Sequence, residues 1–428
     1  MKTIIKLSSI LMITVTLNSQ WVLIPHNNFT FYFAISFLNQ NTGWVGGSDS
    51  GKASIYYTSN GGVNWIRQLN AAQSGRIECL FFLNNLTGWA GAYSGEIYRT
   101  TNGGSAWTSV IIAPNHRIRK IHFLNSSTGY IAGEAGCRKT TDGGLTWLIT
   151  PLNYISSYGL YFFNVNTGLV ANQQYIFKTT NAGQAFDAVL FILESIILYD
   201  FDFINSNTGY SAGTRKYTVK TTNQGNNWTN ISSELNTEWI NFYYDIDFVD
   251  ENLGYAAGQY IWGHPGGGTD FMGIFYKTTN GGLNWNSIAL GTSVMSYEAV
   301  QICESQIGYM AGYSGKIFKS TNAGYIPVVP ISNEIPEKFS LSQNYPNPFN
   351  PVTKIRFSLP NPSEGGAQTV KLIIYDILGQ VLETLVNDQL KPGTYEVEWD
   401  GSNFSSGVYY YSLVTQDFTQ TRKMVLIK

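Results

Sequence analysis

FLNQNTGW at residues 37–44 decides the fold, because the chain writes a version of it six more times. Its successors are FLNNLTGW (82–89), FLNSSTGY (123–130), FFNVNTGL (162–169), FINSNTGY (203–210), and the variants FVDENLGY (248–255) and ICESQIGY (302–309). The shared glycines, from Gly43 to Gly308, recur about every 44 residues, the size of a β-propeller blade. Counting back from each glycine, position −6 is Phe37, Phe82, Phe123, Phe162, Phe203, Phe248 and Ile302, and position −8 is apolar in every copy. Apolar residues two apart mark a strand with one buried face. A second strand follows each glycine, a third runs into a turn and a fourth leaves it. Four short strands per repeat predict an all-β chain folded as a seven-bladed β-propeller.

The turn is the second landmark of each copy, as in TSNGGVNW at 58–65. Its Asx residues are Asn60, Asn102, Asp142, Asn181, Asn223, Asn280 and Asn322. An Asx side chain bonds nearby backbone amides, and glycine supplies the positive φ of a tight turn. Five residues on stand Trp65, Trp107, Trp147, Phe186, Trp228 and Trp285, but the seventh copy has Pro327 there and lacks a fourth strand. Gln20 to Pro25 (QWVLIP) reads as that missing strand, with Trp21 as the missing aromatic. A ring closed in this way has no open edge between its first and last blades. TTDGGLTW at 140–147 resembles the Asp-box of BNR-repeat proteins, in which the box is structural. Repeat spacing and turns together resemble the photosystem II stability/assembly-factor-like group. That resemblance implies a binding or assembly scaffold.

Composition agrees with an exported, turn-rich chain. Charged residues are 13% of the 428, against roughly 25% in ordinary domains, while 15% are aromatic. A net charge of −2 excludes bulk attraction to nucleic acid. Three cysteines without CxxC spacing make neither a disulfide scaffold nor a zinc site, and Cys303 falls at a core position of the repeat. No motif requires a metal or a cofactor. Lys2 and Lys6 precede the apolar run Leu7 to Leu17, which is too short for the roughly 20 residues of a membrane span. Residues 1–19 are therefore expected to be a cleaved signal peptide. No later stretch is long and apolar enough to span a membrane.

The expected domains are the propeller at 20–327, a linker at 328–338 and a C-terminal unit at 339–428. The last alternates polar and apolar residues between Pro-Gly, Asp-Gly and Ser-Gly turns, which predicts an Ig-like β-sandwich of about seven strands. It resembles the type A C-terminal sorting domain of the type IX secretion system. The matches are Asn344 to Pro351, Tyr375-Asp376 with Gly379, Trp399-Asp400-Gly401, Ser406 to Tyr409, and the Lys-Met-Val-Leu run before Lys428. The resemblance implies type IX machinery as partner, and passage through the periplasm to the outer surface or the medium.

For the propeller, two function classes stand. One is a non-catalytic scaffold that binds a glycan or a protein. The alternative is a secreted glycoside hydrolase, sialidase-like or endoglucanase-like. A sialidase needs an arginine triad and a Phe/Tyr-Arg-Ile-Pro element, of which Arg117-Ile118-Arg119 is only an echo; Arg117, Arg119 and Lys120 read as a solvated loop. A glycosidase needs two facing carboxylates, for which Asp202 and Asp247 at position −7, beside His122, are the candidates. Departures from the repeat point elsewhere. Eight of the 11 tryptophans are repeat positions and Trp399 belongs to the tail, which leaves Trp239 and Trp262. Trp239 lies in a lengthened connection before the sixth unit; Trp262 lies in its insertion, which makes Gly254 to Thr278 span 24 residues. Both anomalies are expected on one face. The predicted binding patch is Trp239, Tyr243, Tyr244, Trp262, His264 and Asp270, since exposed aromatics beside polar groups suit a sugar ring or a peptide.

Overall fold

The computed structural model of the chain describes residues 21–24, 30–153, 155–193, 196–232, 241–263, 269–288, 290, 294–303, 307–320, 329–332, 334–362, 366–401 and 404–428. These residues contain no helix and form nine four-stranded antiparallel sheets in a propeller-like arrangement with a C-terminal unit. The predicted signal segment 1–19 lies outside them.

Seven sheets follow the repeat. Sheet 1 is a meander of Thr30–Phe37, Gly43–Asp49, Lys52–Thr58 and Ile66–Ser74. Sheets 2 to 6 repeat it from the first strands Ile77–Phe82, Ile118–Phe123, Leu160–Phe162, Leu198–Phe203 and Asn241–Phe248. Sheet 7 begins at Tyr297–Cys303, and its outer strand is the N-terminal Trp21–Ile24, paired antiparallel with Lys316–Ser320. First strands of successive sheets lie side by side, and that of sheet 7 lies against that of sheet 1.

One packing unit explains the repeated motif. Phe123 lies directly across the ladder from Gly129, where an added Cβ would sit 2.6 Å from its ring. The same ring stacks on Trp89 of the preceding sheet at 3.5 Å, and Trp147 meets it edge-on at 6.0 Å. Trp44–Phe82–Trp107, Tyr210–Phe248–Trp285 and Tyr309–Phe37–Trp65 repeat this geometry. Stacked and edge-on aromatic pairs add about 0.5–1.5 kcal/mol each beyond the area they bury. At Gly308 the ring over the glycine is Trp21, only 2% exposed. Pro327, whose missing aromatic Trp21 was expected to replace, lies outside the described residues.

The turns are local hydrogen-bond devices. Thr140 Oγ1 accepts the Gly144 N–H and Asp142 Oδ1 accepts the Thr146 N–H, each at 2.9 Å. With Asn in place of Asp the same pair recurs at Thr58/Asn60 and Thr100/Asn102, among others. Asp142 alone adds a second oxygen, which takes the Thr146 hydroxyl at 2.5 Å. These bonds hold its carboxyl well below the usual carboxylate range. The turn needs one amide acceptor, and Asn supplies it. All three cysteines are buried in the sheets.

The C-terminal residues form two further sheets. One is ordered Val329–Ser332, Gly393–Asp400, Val352–Leu359, Ser340–Leu341; the other Val381–Leu390, Gln368–Tyr375, Gly407–Val414, Thr419–Leu426. Phe357, Leu372, Trp399, Tyr411 and Met424 from both belong to one buried core. Part of the segment 328–338, read as linker, is thus a strand: Pro330 lies opposite Tyr395. Proline suggested a spacer, but an edge strand tolerates it because one side of the ladder needs no N–H.

Gly129→Ala is expected to destabilise the protein by about 1–3 kcal/mol, since its methyl group must displace the Phe123 ring. Gly75→Ala, whose Cβ meets nothing nearer than 4.0 Å, should change stability by less than about 0.5 kcal/mol. Chemical denaturation of both variants checks the pair.

Candidate functional site

The first strand of each sheet has one edge paired to its own sheet, so its other backbone groups need partners. Side chains of the preceding sheet supply them. Phe82 N–H donates to Ser36 Oγ (3.1 Å), Phe248 N–H to Asp202 Oδ2 (2.7 Å) and Ile302 N–H to Asp247 Oδ2 (2.9 Å). Gln301 returns to sheet 1, accepting the Phe37 N–H at 2.8 Å and donating to the Phe37 carbonyl at 3.0 Å. Where position −7 is aromatic the rings pack instead: His122 stacks on Phe81 at 5.5 Å and meets Tyr161 edge-on. Asp202, Asp247 and His122, weighed as a catalytic or cation site, therefore fasten neighbouring sheets. Burial pushes the Asp202 carboxyl up to about 7 and the His122 imidazole down to about 4. Among the described residues no three His, Cys, Asp or Glu side chains are grouped to hold a metal.

Two residues earlier along the strand, Lys120 of sheet 3 reaches Asp200 of sheet 5 at 2.5 Å and Asp245 of sheet 6 at 3.1 Å. Burial works against its charge, but the two carboxylates outweigh it and hold the ammonium above its ordinary value.

Above this ion triad opens a cavity of about 620 Å³ lined by residues at or just before the first strands of all seven sheets. A β-bulge creates its wall. In six sheets the ladder skips one residue at the same register, between Tyr32/Ala34, Ile77/Cys79, Ile118/Lys120, Leu198/Asp200, Tyr243/Asp245 and Tyr297/Ala299. The skipped residues are Phe33, Glu78, Arg119, Tyr199, Tyr244 and Glu298, and each lines the cavity. A bulge leaves one residue unpaired and re-aims its side chain, here towards the opening.

Guanidinium groups dominate one side. Arg117 pairs with Glu78 at 2.9 Å, Arg76 pairs with the same carboxylate, and Arg119 pairs with Glu134 at 2.9 Å. Arg76 lies over the Phe33 ring at 4.4 Å and Arg119 over Tyr158 at 4.5 Å. Burial and the neighbouring Arg117 lower the Arg119 pKa, and the Nε atoms of both have no hydrogen-bond partner. From Arg119 the wall continues in aromatic rings: Tyr158, Tyr199 and Tyr244 follow one another edge to face at 5.6 and 5.3 Å. Burial pushes the Glu298 carboxyl up to about 7. Arg117, Arg119 and Lys120 are thus not a solvated loop: Ile118–Phe123 is a first strand that carries two of them. A short charge run on an otherwise apolar strand was misread because the bulge, which turns Arg119 inward, leaves no mark in sequence.

The predicted patch divides. Tyr244 lines the cavity, its hydroxyl 3.0 Å from Gln259 Oε1. Tyr243 is fully buried between sheets 5 and 6, beside Tyr210 and Ile246, because the bulge turns it away from the opening. The insertion is a long hairpin, Gly254–Gly263 with Thr269–Thr278, on which Trp262 is paired with Asp270. Trp262 is 55% exposed, yet the cavity-lining residues of this hairpin are Gln259 and Phe271, the latter paired with Ile261. Facing pairs alternate sides along a ladder, so Trp262 and Asp270 lie on the side away from Phe271. Trp239 and His264 lie outside the described residues.

Residues 182–331 match the family described as Photosynthesis system II assembly factor YCF48. Residues 343–428 match the Secretion system C-terminal sorting domain. The chain resembles the YCF48 propellers and ends in a sorting tail. Among solved structures, YCF48 bound to D1 peptide is 17% identical with a TM-score of 0.55, over 71% of this chain and 97% of its own. YCF48 from Cyanidioschyzon merolae is 15% identical with a TM-score of 0.54, over 71% and 98%. PorZ, a surface component of the type IX secretion system of Porphyromonas gingivalis, is 13% identical with a TM-score of 0.50, over 94% of this chain and 60% of its own. At such identities the likeness is one of fold. No curated protein matches the chain in sequence. The tail marks this YCF48-like chain for secretion to the cell surface or beyond. Among the described residues no helix is long and apolar enough to cross a membrane.

Asp202→Asn keeps an amide acceptor but loses the ionisation. The folded-state pKa is raised from 3.8 to about 7, so the wild-type contribution is full below pH 4 and is lost as pH rises through 7. Against the Asn variant, wild-type stability should fall on the order of 1 kcal/mol per pH unit across pH 5–7. Denaturant unfolding at pH 5, 6, 7 and 8 measures the difference.

Proposed function

We propose that the protein is a secreted, non-catalytic binding scaffold that holds an acidic, extended protein segment at the cavity mouth. In this reading sheets 1 to 7 are the blades of a seven-bladed propeller closed by the N-terminal strand, spanning residues 20–327. An N-terminal signal peptide and an Ig-like tail take it through the periplasm and the type IX machinery to the outer surface or the medium. The boundary of the tail falls at Val329, where its first strand begins.

One observation carries the reading. The cavity joins incompletely hydrogen-bonded guanidinium groups to a wall of tyrosine rings, while Asp202 and Asp247 below are occupied with backbone amides. Arginine favours carboxylates through planar, charge-assisted bonds, and tyrosine gives broad contact with one polar edge. An incoming carboxylate would relieve the repulsion between Arg117 and Arg119. Hydrolysis of a glycoside requires two carboxyl groups free to exchange protons with substrate, and these two already hold the sheets together. The structure of YCF48 with a D1 peptide supports a peptide as ligand class.

Mature protein screened on arrays of acidic and neutral 12-residue peptides, and on glycans, tests this. Acidic peptides should bind, and Arg117→Ala/Arg119→Ala should weaken them at least tenfold, with no hydrolysis of sialosides or β-glucans. Turnover of a glycan lost in Asp202→Asn would replace this reading with the hydrolase.

A further inference from the structure

The outer strand of sheet 6 is only Asn286–Ser287, as short as Thr229–Asn230 of sheet 5, but here it faces a hairpin strand of ten residues. The hairpin strand Thr269–Thr278 is therefore paired along its full length with Gly254–Gly263, but on its other side only at Tyr276 and Lys277. Beyond those, Ile288 N–H donates to the Phe275 carbonyl at 2.8 Å, and Gly273 N–H donates to the Val294 carbonyl at 2.7 Å. Residues 273 and 275 thus turn their backbone groups to the outer edge, and in an antiparallel ladder alternate residues do so. Phe271 and Thr269 are the next in phase. Among the described residues no strand pairs their outward N–H and C=O groups, and Thr269 to Met272 are all exposed.

This edge, without a partner strand among the described residues, ends at the cavity. The Phe271 side chain lines it, as do Gln259 on the paired strand and Met295, whose carbonyl accepts the Gln259 amide at 2.9 Å. Natural sheets usually cover or charge such an edge, because an unpaired ladder accepts a further strand. Here one charge, Asp270, stands beside the apolar Phe271 and Met272, 42% and 54% exposed. The geometry points to β-strand addition: a peptide enters as an extra strand along Thr269–Phe271 of sheet 6, and its cavity-facing side chains descend towards the guanidinium groups. Main-chain bonds to the edge select an extended backbone, and Arg117 and Arg119 select acidic side chains at its inner end. The inference rests on the peptide-binding reading and adds the mode of recognition.

Backbone N-methylation of the peptide tests it without altering the fold. An acidic 12-residue peptide from the array is made in two forms, methylated at odd or at even positions, and titrated by fluorescence anisotropy against the mature protein. One form should lose at least tenfold in affinity, while the other binds like the unmodified peptide. Thr269→Pro, which removes an outward N–H, should weaken the unmodified peptide similarly, and Thr269→Ala should not. Equal affinity of the two methylated forms overturns strand addition. If that binding still depends on Arg117 and Arg119, the cavity reading survives; absence of any peptide binding removes both.

Discussion

The stacking of one aromatic ring against a glycine of its own sheet and an aromatic of the preceding sheet is the contact on which this architecture depends. Phe123 between Gly129, Trp89 and Trp147 shows it most fully. The unit ties sequence to packing at three points at once. Glycine is required because any side chain there meets the ring, the residue after it is aromatic in every copy but Leu169 and at Trp44, Trp89, Tyr130, Tyr210 and Tyr309 stacks on the next sheet, and the turn aromatic closes the third side. Each contact is worth little, but it recurs around the succession of sheets, so the stability of any one sheet is shared with its neighbours. Trp21 extends the rule to the N-terminus, where it covers Gly308 and joins the first described residues to the last sheet.

Bringing first strands side by side creates a second constraint. Their unpaired edges face inward, where water is scarce and every amide needs an acceptor. Asp202, Asp247, Ser36 and Gln301 answer it from the preceding sheet. This leaves the deep polar residues structural and moves chemistry to the opening. There the bulge shared by six first strands turns one residue of each outward from the ladder, and at that register the repeat loosens: Phe33, Glu78, Arg119, Tyr199, Tyr244 and Glu298 range over aromatic, acidic and basic side chains. A scaffold that constrains every other position leaves this one free to differ.

Much of the fold was legible because its rules are local. Period-two alternation and Asx-Gly-Gly turns are visible without tertiary information, and the order of strands in sheets 1 to 7 follows from them. The strand Val329–Ser332 was missed because Pro330 suggests a spacer when its pairing partner, more than 60 residues away, is not considered. The candidate site was only half legible. Excess length and an extra tryptophan drew attention to the hairpin of sheet 6, and Tyr244 of the expected patch lines the cavity. Tyr243 is buried and Phe271, not Trp262, faces the opening, because side-chain direction depends on a bulge and a register that composition does not encode. The arginines were visible but read as solvated, since ordinary charge runs are. Comparing positions −10 and −12 across the repeats, instead of seeking unusual tryptophans, would have found Arg119 at the first and Arg76 and Arg117 at the second.

A sorting tail on a YCF48-like propeller marks the chain for the cell surface or beyond, and the proposed binding surface lies at one mouth. Hydrogen–deuterium exchange of the mature protein, with and without a saturating acidic peptide, tests that placement most directly. The account expects added protection in Arg117–Lys120, around Tyr199 and Tyr244, and along Thr269–Met272, with the turns of sheets 1 to 6 unchanged. Protection confined to the turns or the outer strands, with these segments unaffected, would contradict it.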